Sequence, residues 1–363
     1  MKERSGLFDF DWPLLAIAFA ICGVGMLEIY SSTHNSPMHG MQWRQLAWIG
    51  LGIIGMFILS RIDYHGLLDQ APLIYAVGSF LLVVVLIIGH SRFGAKRWIA
   101  IGGGVNLQVS EIMKLVIILM LGRFFSEVRT DSLTLQDLVK SAGLTAIPVL
   151  LILKQPDLGT AMVLLSVAVV GAFLAGIDWR HGIVVVLLVA LVLPIGWHAL
   201  KPFQKARLVT FMKPEDNPRG AGYQVLQSEI AVGSGGFWGK GFGKGSQNQL
   251  GFVPVRYSDF ILAALAEEQG FAGVFVVMLL YAGLLLRLIE NAQKAKDRAG
   301  MFVVMGVAAI IGFHVFVNAA MVIGKMPVTG IPLPLMSYGG SATSFVFLAL
   351  GLVMSVRSRR FVN

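Results

Sequence analysis

Apolar positions fall into ten long runs along the chain, separated by short polar segments and one long one. The runs lie at residues 12–31, 45–60, 70–89, 107–124, 138–153, 159–176, 182–199, 258–287, 300–323 and 340–356. A helix needs about 17–25 apolar residues to cross a bilayer. The pattern predicts an all-α polytopic membrane protein of about ten transmembrane helices. The long polar segment, 200–257, is then a loop between spans seven and eight.

Composition supports this fold class. The 363 residues are 56% apolar and only 13% charged, whereas a soluble domain is about one quarter charged. We expect residues 1–363 to form one transmembrane domain, with loop 200–257 inside it. Cys22 is the only cysteine, which excludes a disulfide within the chain. The N-terminal apolar run lacks a small-residue cleavage site and is interpreted as a retained first span.

Lysine and arginine placement predicts the orientation. One set of span ends carries fourteen of these residues and the other fifteen, but eight of the fifteen lie in loop 200–257. Long segments cross a membrane largely regardless of their charge, so the useful comparison is fourteen against seven. This predicts cytoplasmic termini and an external loop. Basic residues outside the cell do not indicate a nucleic-acid partner.

The predicted external loop is basic and contains a glycine-rich stretch, "GSGGFWGKGFGKGS", with Lys240 and Lys244 between seven glycines. Glycines let backbone amides form an anion-binding nest, so phosphate is one candidate ligand. A tight turn near the membrane is the alternative, and the spacing is not that of a Walker A loop. An ordinary solvated loop would also carry many charged residues. A bound anion would in addition explain why the loop carries more basic than acidic residues.

Asp259 stands at the start of the eighth span, directly after this loop. Capping of the helix is one interpretation, and a general base facing an anionic, hydroxyl-bearing substrate is the other. Glu267 lies about 12 Å further along a helix and Glu268 on its far side, so neither pairs with Asp259. We expect structural or relay roles for them. We also expect nearby cations to outweigh desolvation at Asp259, leaving activity without an acidic limb between about pH 4 and 8.

Other polar residues interrupt the apolar spans. Glu111 and Lys114 share a helix face and can neutralise each other. Asp157 lies at a helix break, where it caps the next span or lines a polar cavity. His314 and Asn318, four residues apart, favour bonds between helices over metal binding. The segment "GIPLPLMSYGGS" predicts a rigid rim, since its prolines cannot continue a helix.

Five segments together resemble the SEDS family (shape, elongation, division and sporulation) over essentially the whole chain. They are "GAKRWIAIG" with "LQVSEIMKL", "QPDLGTA", "GYQVLQSEIAVGSGGFWGKG", "YSDFILAALAEEQG" and "GIPLPLMSYGGS". The form of the loop is more similar to elongation-type than to division-type members. Val109 and Gln269 depart from the usual family motifs.

The resemblance implies a peptidoglycan glycosyltransferase that polymerises lipid II at the outer face of the bacterial cytoplasmic membrane. It further implies a class B penicillin-binding protein as partner, together with other elongation-complex membrane proteins. The family's essential aspartate matches Asp259. Candidate substrate-binding residues are Arg97, Glu111, Lys114, Asp157, Arg207, Gln227, Ser228, Ser234, Lys240, Lys244, Arg256 and Ser258.

Three alternatives remain at this point. A lipid II flippase would also use polar intramembrane residues, but it needs a cavity open in turn to both faces. A scaffold that only activates its partner gives no reason for a carboxylate beside a cationic loop. A division-type member of the same family is the third. Mg²⁺ or Mn²⁺ is a candidate cofactor, although no residues have the spacing of a dedicated metal site.

Overall fold

A computed structural model shows a bundle of helices corresponding to nine of the ten predicted spans. It describes residues 10–34, 36–92, 95–102, 105–128, 132–184, 187, 191, 198, 202–212 and 221–360. The predicted seventh span, 182–199, lies largely outside the described residues. The helices matching predicted spans are α1 (Trp12–Thr33), α2 (Met41–Arg61), α4 (Ala71–Ile88), α5 (Val109–Glu127), α6 (Leu135–Lys154), α7 (Leu158–Leu174), α11 (Ile261–Gln293), α12 (Arg298–Val322) and α13 (Gly340–Ser358).

The helical, multi-pass fold class is confirmed. Seven of the helices in the described ranges are long and apolar enough to cross a membrane, all of those named above except α5 and α7. Helix α5 carries charged residues, and α7 has 17 residues. Their apolar runs were therefore located correctly, with ends shifted by a few residues.

The polar segments contain structure that the apolar pattern did not predict. A short helix, α3 (Tyr64–Asp69), precedes α4. Strands β1 (His90–Arg92), β2 (Ala95–Gly102) and β3 (Val105–Gln108) form an antiparallel sheet in the order β1-β2-β3. Within the predicted loop 200–257, the described residues form helices α8 (Pro202–Met212), α9 (Ala221–Gly235) and α10 (Ser246–Gln249).

A buried aspartate joins three helices at one end of the bundle. Asp11 caps α1 by accepting the Leu14 amide at 3.2 Å. Its carboxylate also accepts from Arg287 of α11 at 2.7 Å and from Arg357 of α13 at 3.1 Å. The Asn291 side chain adds a donor at 2.7 Å. A fully buried carboxylate requires such partners, so this cluster fixes where the three helix ends meet.

Helix α11 is broken at Gly270. This residue has φ 68° and ψ −166°, a conformation that is accessible to glycine and strained for other residues. A Cβ there would lie 2.3 Å from the Gly239 nitrogen, so the neighbouring chain also excludes a side chain. The part after the break, residues 271–293, is about 35 Å long and can span a bilayer alone. The preceding part is a separate buried helical segment that ends beside Glu267 and Glu268.

The glycine-rich loop, residues 236–245, fills this break. Carbonyls of Gly236 and Phe237 accept from the amides of residues 271 and 272 at 2.9 and 3.0 Å. In return, the amides of Lys240 and Gly241 donate to the carbonyls of residues 267 and 268 at 3.0 and 2.9 Å. Non-helical backbone is tolerated at membrane depth only where it is buried in protein or lines a cavity. The loop therefore supplies the hydrogen bonds that the break removes.

The carboxylate of Glu267 binds the loop and α10. It accepts the Gln247 and Asn248 amides, both at 2.9 Å, and pairs with the Lys240 ammonium at 2.7 Å. The Ser246 hydroxyl adds a donor at 3.2 Å. Amides at the start of α10 and the Lys240 ammonium of the loop thus hold a carboxylate of the chain itself.

The carboxylate of Glu268 is held by a second set of donors. These are the Gly243 amide at 2.8 Å and the side chains of Asn248 at 2.7 Å and Gln249 at 3.2 Å. The Ser31 hydroxyl of α1 donates at 2.7 Å. The two glutamates consequently join the loop, α10 and α1 to the buried start of α11.

We predict that Glu267→Gln destabilises the protein by about 1.5–3 kcal/mol, the typical contribution of hydrogen bonds to a charged group. Glutamine keeps one acceptor, turns an NH₂ group toward an amide donor and leaves Lys240 without its counter-charge. Unfolding in detergent and limited proteolysis of residues 236–249 measure the effect. Glu127→Gln is the matched control, because that carboxylate is 64% exposed in its pair with Arg123 and is expected to change stability little. Equal behaviour of the two variants would contradict the structural role.

Candidate active site

The antiparallel sheet brings two polar side chains to the start of α7. Arg97 lies on β2. Gln108 ends β3 and pairs with Trp98, the residue after Arg97. The Arg97 guanidinium lies 3.5 Å from the Asp157 carboxylate and donates to the Pro156 carbonyl. Gln108 donates to the same carboxylate at 3.2 Å. Asp157 also caps α7 by accepting the Thr160 amide at 3.2 Å, which is one of the two roles considered for it, whereas lining a polar cavity stays a prediction.

Asp259 lies in the turn before α11 and does not cap that helix. The N-cap position is Phe260, which has no side-chain capping bond. The Asp259 carboxylate accepts the Ser258 hydroxyl at 3.0 Å. A Cβ on Gly330, which has φ 72°, would lie 3.6 Å from its other oxygen. Asp259 is therefore not the cap of α11. One of its carboxylate oxygens faces the segment around residue 330.

The backbone of residues 257–259 is held at each carbonyl. These carbonyls accept, in chain order, the Tyr338 amide at 3.0 Å, the Ser337 hydroxyl at 2.7 Å and the Asn318 amide group at 2.8 Å. Asn318 also donates to the Ile331 carbonyl at 2.8 Å, as expected for a bond between elements. A carboxylate on a backbone fixed in this way keeps its direction, which a positioned base requires.

A pocket beside Asp259 contains two arginines. Arg207 of α8 donates to the Val328 carbonyl at 3.3 Å, and Arg97 reaches the same pocket from the sheet. The lining residues are Arg97, Pro156, Leu158, Arg207, Leu208, Pro327, Val328 and Thr329. Two guanidinium groups beside a carboxylate can bind an anion while the carboxylate accepts a proton.

Burial raises the pKa of the Asp259 carboxyl above its ordinary range, against the effects of its neighbours. The Ser258 hydroxyl bond and the charges of Arg207 and Arg97 lower the pKa, but desolvation is the largest effect. The expectation that cations outweigh desolvation here was therefore wrong in direction. Residues 330–338 enclose the turn on one side. The expectation from the sequence considered only the helix start and the nearby cations, so it missed this burial.

Glu111 and Lys114 form the buried ion pair expected from their spacing. The ammonium lies 2.8 Å from the carboxylate and 4.4 Å from the Phe345 ring centroid. His314 lies nearby on α12, with Nδ1 3.0 Å from the Pro332 carbonyl oxygen. The pair is buried on α5, with Lys114 packed against Phe345 of α13, and its predicted role in substrate binding stays a prediction.

The other predicted substrate-binding residues lie away from the pocket lining. Ser228 donates to the Val322 carbonyl at 2.8 Å and Ser234 to the Ala231 carbonyl at 3.0 Å. Lys240 pairs with Glu267, and Arg256 donates to the Ser32 carbonyl at 3.0 Å. Gln227 is partly buried on α9, and Lys244 is exposed. Their roles remain predictions, whereas Arg97, Asp157, Arg207, Ser258 and Asp259 come together.

Several residues at this site escaped the sequence analysis. Gly330, Ser337 and Tyr338 were assigned only to a rigid rim, and Thr329 was not singled out. Their contacts join segments more than 70 residues apart, for which spacing gives no signal. Within the described ranges no group of three or more His, Cys, Asp or Glu side chains could hold a metal ion. A divalent cation therefore stays a prediction.

Comparisons with known proteins identify the family of this chain. The family model of FtsW, RodA and SpoVE, described as cell cycle protein, matches residues 12–361. The chain is 38% identical to the peptidoglycan glycosyltransferase MrdB of Escherichia coli K12, over 96% of this chain and 94% of that protein.

Two solved structures share the fold. One is a chain from a peptidoglycan synthase complex that coordinates polymerization and crosslinking, with TM-score 0.83 and 34% identity over 98% of this chain and 99% of that chain. The other is the rod shape determining protein RodA of Thermus thermophilus, with TM-score 0.74 and 30% identity over 98% of each chain. The chain therefore belongs to the SEDS family, the FtsW, RodA and SpoVE cell cycle proteins.

Proposed function

We propose that this chain is a peptidoglycan glycosyltransferase that polymerises glycan strands from lipid II. The observation that carries the proposal is the position of Asp259. Its carboxylate is held on a fixed backbone, does not cap α11 and lies beside a pocket with two arginines. The 38% identity to a peptidoglycan glycosyltransferase supports the reaction class. It also favours the elongation-type branch over the division-type alternative.

In the proposed reaction Asp259 acts as the general base. It takes the proton from the 4-hydroxyl of the acceptor's N-acetylglucosamine, and that oxygen attacks C1 of the donor's N-acetylmuramic acid. The new C1–O4 bond forms on the face opposite the leaving group, so the anomeric centre is inverted. The bond between C1 and the pyrophosphate oxygen breaks, and undecaprenyl pyrophosphate leaves with its electron pair.

The arginine pocket supplies the positive charge that this departure needs. Arg97 is oriented by the Pro156 carbonyl and Asp157, and Arg207 by the Val328 carbonyl. Guanidinium groups held in advance stabilise developing phosphate charge without reorganising during the reaction. The proposal assigns leaving-group binding to these two side chains rather than to Lys240, whose ammonium is bound to Glu267.

The proposed setting follows from the same arrangement. Lipid II presents its pyrophosphate at a membrane surface, so Asp259 and the arginines belong at the outer face, with both termini in the cytoplasm. A class B penicillin-binding protein is the proposed partner, supported by the similarity to a chain from a complex that coordinates polymerization and crosslinking. The partner would crosslink the strands that this chain polymerises.

We expect Asp259→Asn to reduce polymerisation by roughly 10²–10⁴-fold, the usual contribution of a general base. Asparagine keeps the size of the side chain but cannot accept the proton. The measurement is glycan polymer formed from labelled lipid II by the purified protein with its penicillin-binding partner. Asp178→Asn is the charge-matched control, and complex formation is measured for each variant. Full activity of Asp259→Asn would contradict the base role and favour the flippase or scaffold interpretation.

The raised pKa of Asp259 predicts an acidic limb in the pH–rate profile. The base acts only when ionised, so activity is lost as pH falls through its pKa, above the value of about 4 for an ordinary aspartate. Arg207 lowers this pKa, so Arg207→Gln should move the limb to higher pH. Arg180→Gln, which removes an exposed charge elsewhere, should leave it in place. A flat profile from pH 4 to 8, or a limb that moves downward in Arg207→Gln, would contradict the assignment.

A further inference from the structure

Thr329 has a buried hydroxyl without a hydrogen-bond partner among the described residues. The residue is 8% exposed, and its Oγ1 is enclosed. Buried hydroxyls are ordinarily satisfied, as Thr145 illustrates by donating to the Ser141 carbonyl at 2.8 Å. Thr329 also lines the pocket that contains Arg97 and Arg207. An unused hydroxyl on a residue that lines a cationic pocket indicates a ligand that supplies the missing partner.

The chain around Thr329 connects the two halves of the site. The Val328 carbonyl before it accepts the Arg207 guanidinium at 3.3 Å. Gly330 after it lies against the Asp259 carboxylate, where a Cβ would come within 3.6 Å. Asn318 ties the Ile331 carbonyl to the Asp259 carbonyl with two 2.8 Å bonds. Thr329 therefore lies between the arginine and the carboxylate on one continuous, anchored segment.

The chemistry of the pocket limits what the ligand can be. A threonine hydroxyl is one donor with two acceptor sites, and Arg97 and Arg207 contribute only donors. An oxyanion with several acceptor oxygens matches this set, since each oxygen can take a bond from a different side chain.

We propose that the Thr329 hydroxyl is a third donor in the Arg97–Arg207 pocket and binds a phosphate oxygen of the substrate's pyrophosphate. This rests on the proposed function for the identity of the anion. It adds a substrate-binding residue from the segment 328–331, which also contacts the base. The position of the pyrophosphate is thereby set by the same backbone that faces Asp259.

The test compares Thr329→Val, which removes only the hydroxyl, with Thr329→Ser, which keeps it. Thr145→Val is the matched control, because it makes the same replacement at a buried threonine outside the pocket. Binding of inorganic pyrophosphate to the full-length protein in lipid nanodiscs is measured by calorimetry at fixed salt. The KM and kcat for lipid II are measured with the penicillin-binding partner present.

We expect Thr329→Val to weaken pyrophosphate binding and raise KM by roughly ten- to one-hundred-fold, the effect of losing a hydrogen bond to a charged group. Thr329→Ser should behave like the wild type. Because the bond exists before and during the reaction, kcat should change much less than KM. Thr145→Val should alter stability without altering KM.

The two proposals fail in different ways. If the wild type polymerises lipid II but Thr329→Val matches Thr145→Val in KM and pyrophosphate binding, the assignment of Thr329 is overturned and the function stands. If the wild type does not bind inorganic pyrophosphate, the assignment is overturned too. If pyrophosphate binding depends on the Thr329 hydroxyl while no polymer forms with the partner present, the pocket stands and the proposed function fails.

Discussion

Two buried carboxylates at a broken helix organise this site. Glu267 and Glu268 end the first part of α11, where Gly270 interrupts the helix. Buried carboxylates are tolerated only with several donors, and here the donors come from the glycine-rich loop, α10 and Ser31 of α1. The loop supplies the Lys240 ammonium to Glu267 and the Gly243 amide to Glu268. The requirement of the glutamates thus determines the path of the chain from α9 to α11, on which Asp259 lies.

The same principle governs the turn that carries Asp259. The carbonyls of residues 257–259 have lost helical and strand partners, and each accepts a donor from α12 or from residues 337–338. Asn318 connects this turn to residue 331, and residues 328–330 continue to Arg207 and the carboxylate. Hydrogen bonds that satisfy the backbone therefore also set the geometry between the base and the cationic pocket. Structure and proposed chemistry share one set of contacts.

Local sequence signals predicted what depends on neighbours along the chain. Apolar runs predicted the spans because bilayer thickness fixes their length, and three-residue spacing predicted the Glu111–Lys114 pair. The break in α11 could not be predicted, because Gly270 in a helical pattern resembles a tolerated helix glycine until the loop is known to occupy its space. The glycine-rich stretch left a phosphate nest and a tight turn as alternatives. In the fold, its Lys240 ammonium and Gly243 amide bind the carboxylates of Glu267 and Glu268, which are brought there by tertiary contacts.

The same distinction explains the outcome at Asp259. Its cationic neighbours were visible in the sequence, whereas the enclosure that raises its pKa comes from residues 330–338, more than 70 positions away. Arg97, Arg207, Asp259 and Thr329 lie on four separate segments of the chain, and the sheet that delivers Arg97 lies in a polar segment without apolar periodicity. The base, the arginines and Thr329 come close together only in the folded chain.

The shared location of the base and the arginines has a consequence for the proposed reaction. Arg97 and Arg207 lower the pKa of Asp259, although Asp157 lies 3.5 Å from the Arg97 guanidinium. A bound pyrophosphate neutralises the arginine charge and adds negative charge, so it raises the pKa of the carboxyl. The proton affinity of the base is therefore higher with the donor bound than in the empty pocket. When undecaprenyl pyrophosphate leaves, the two guanidinium groups again lower the proton affinity of Asp259, which favours release of the proton taken from the acceptor.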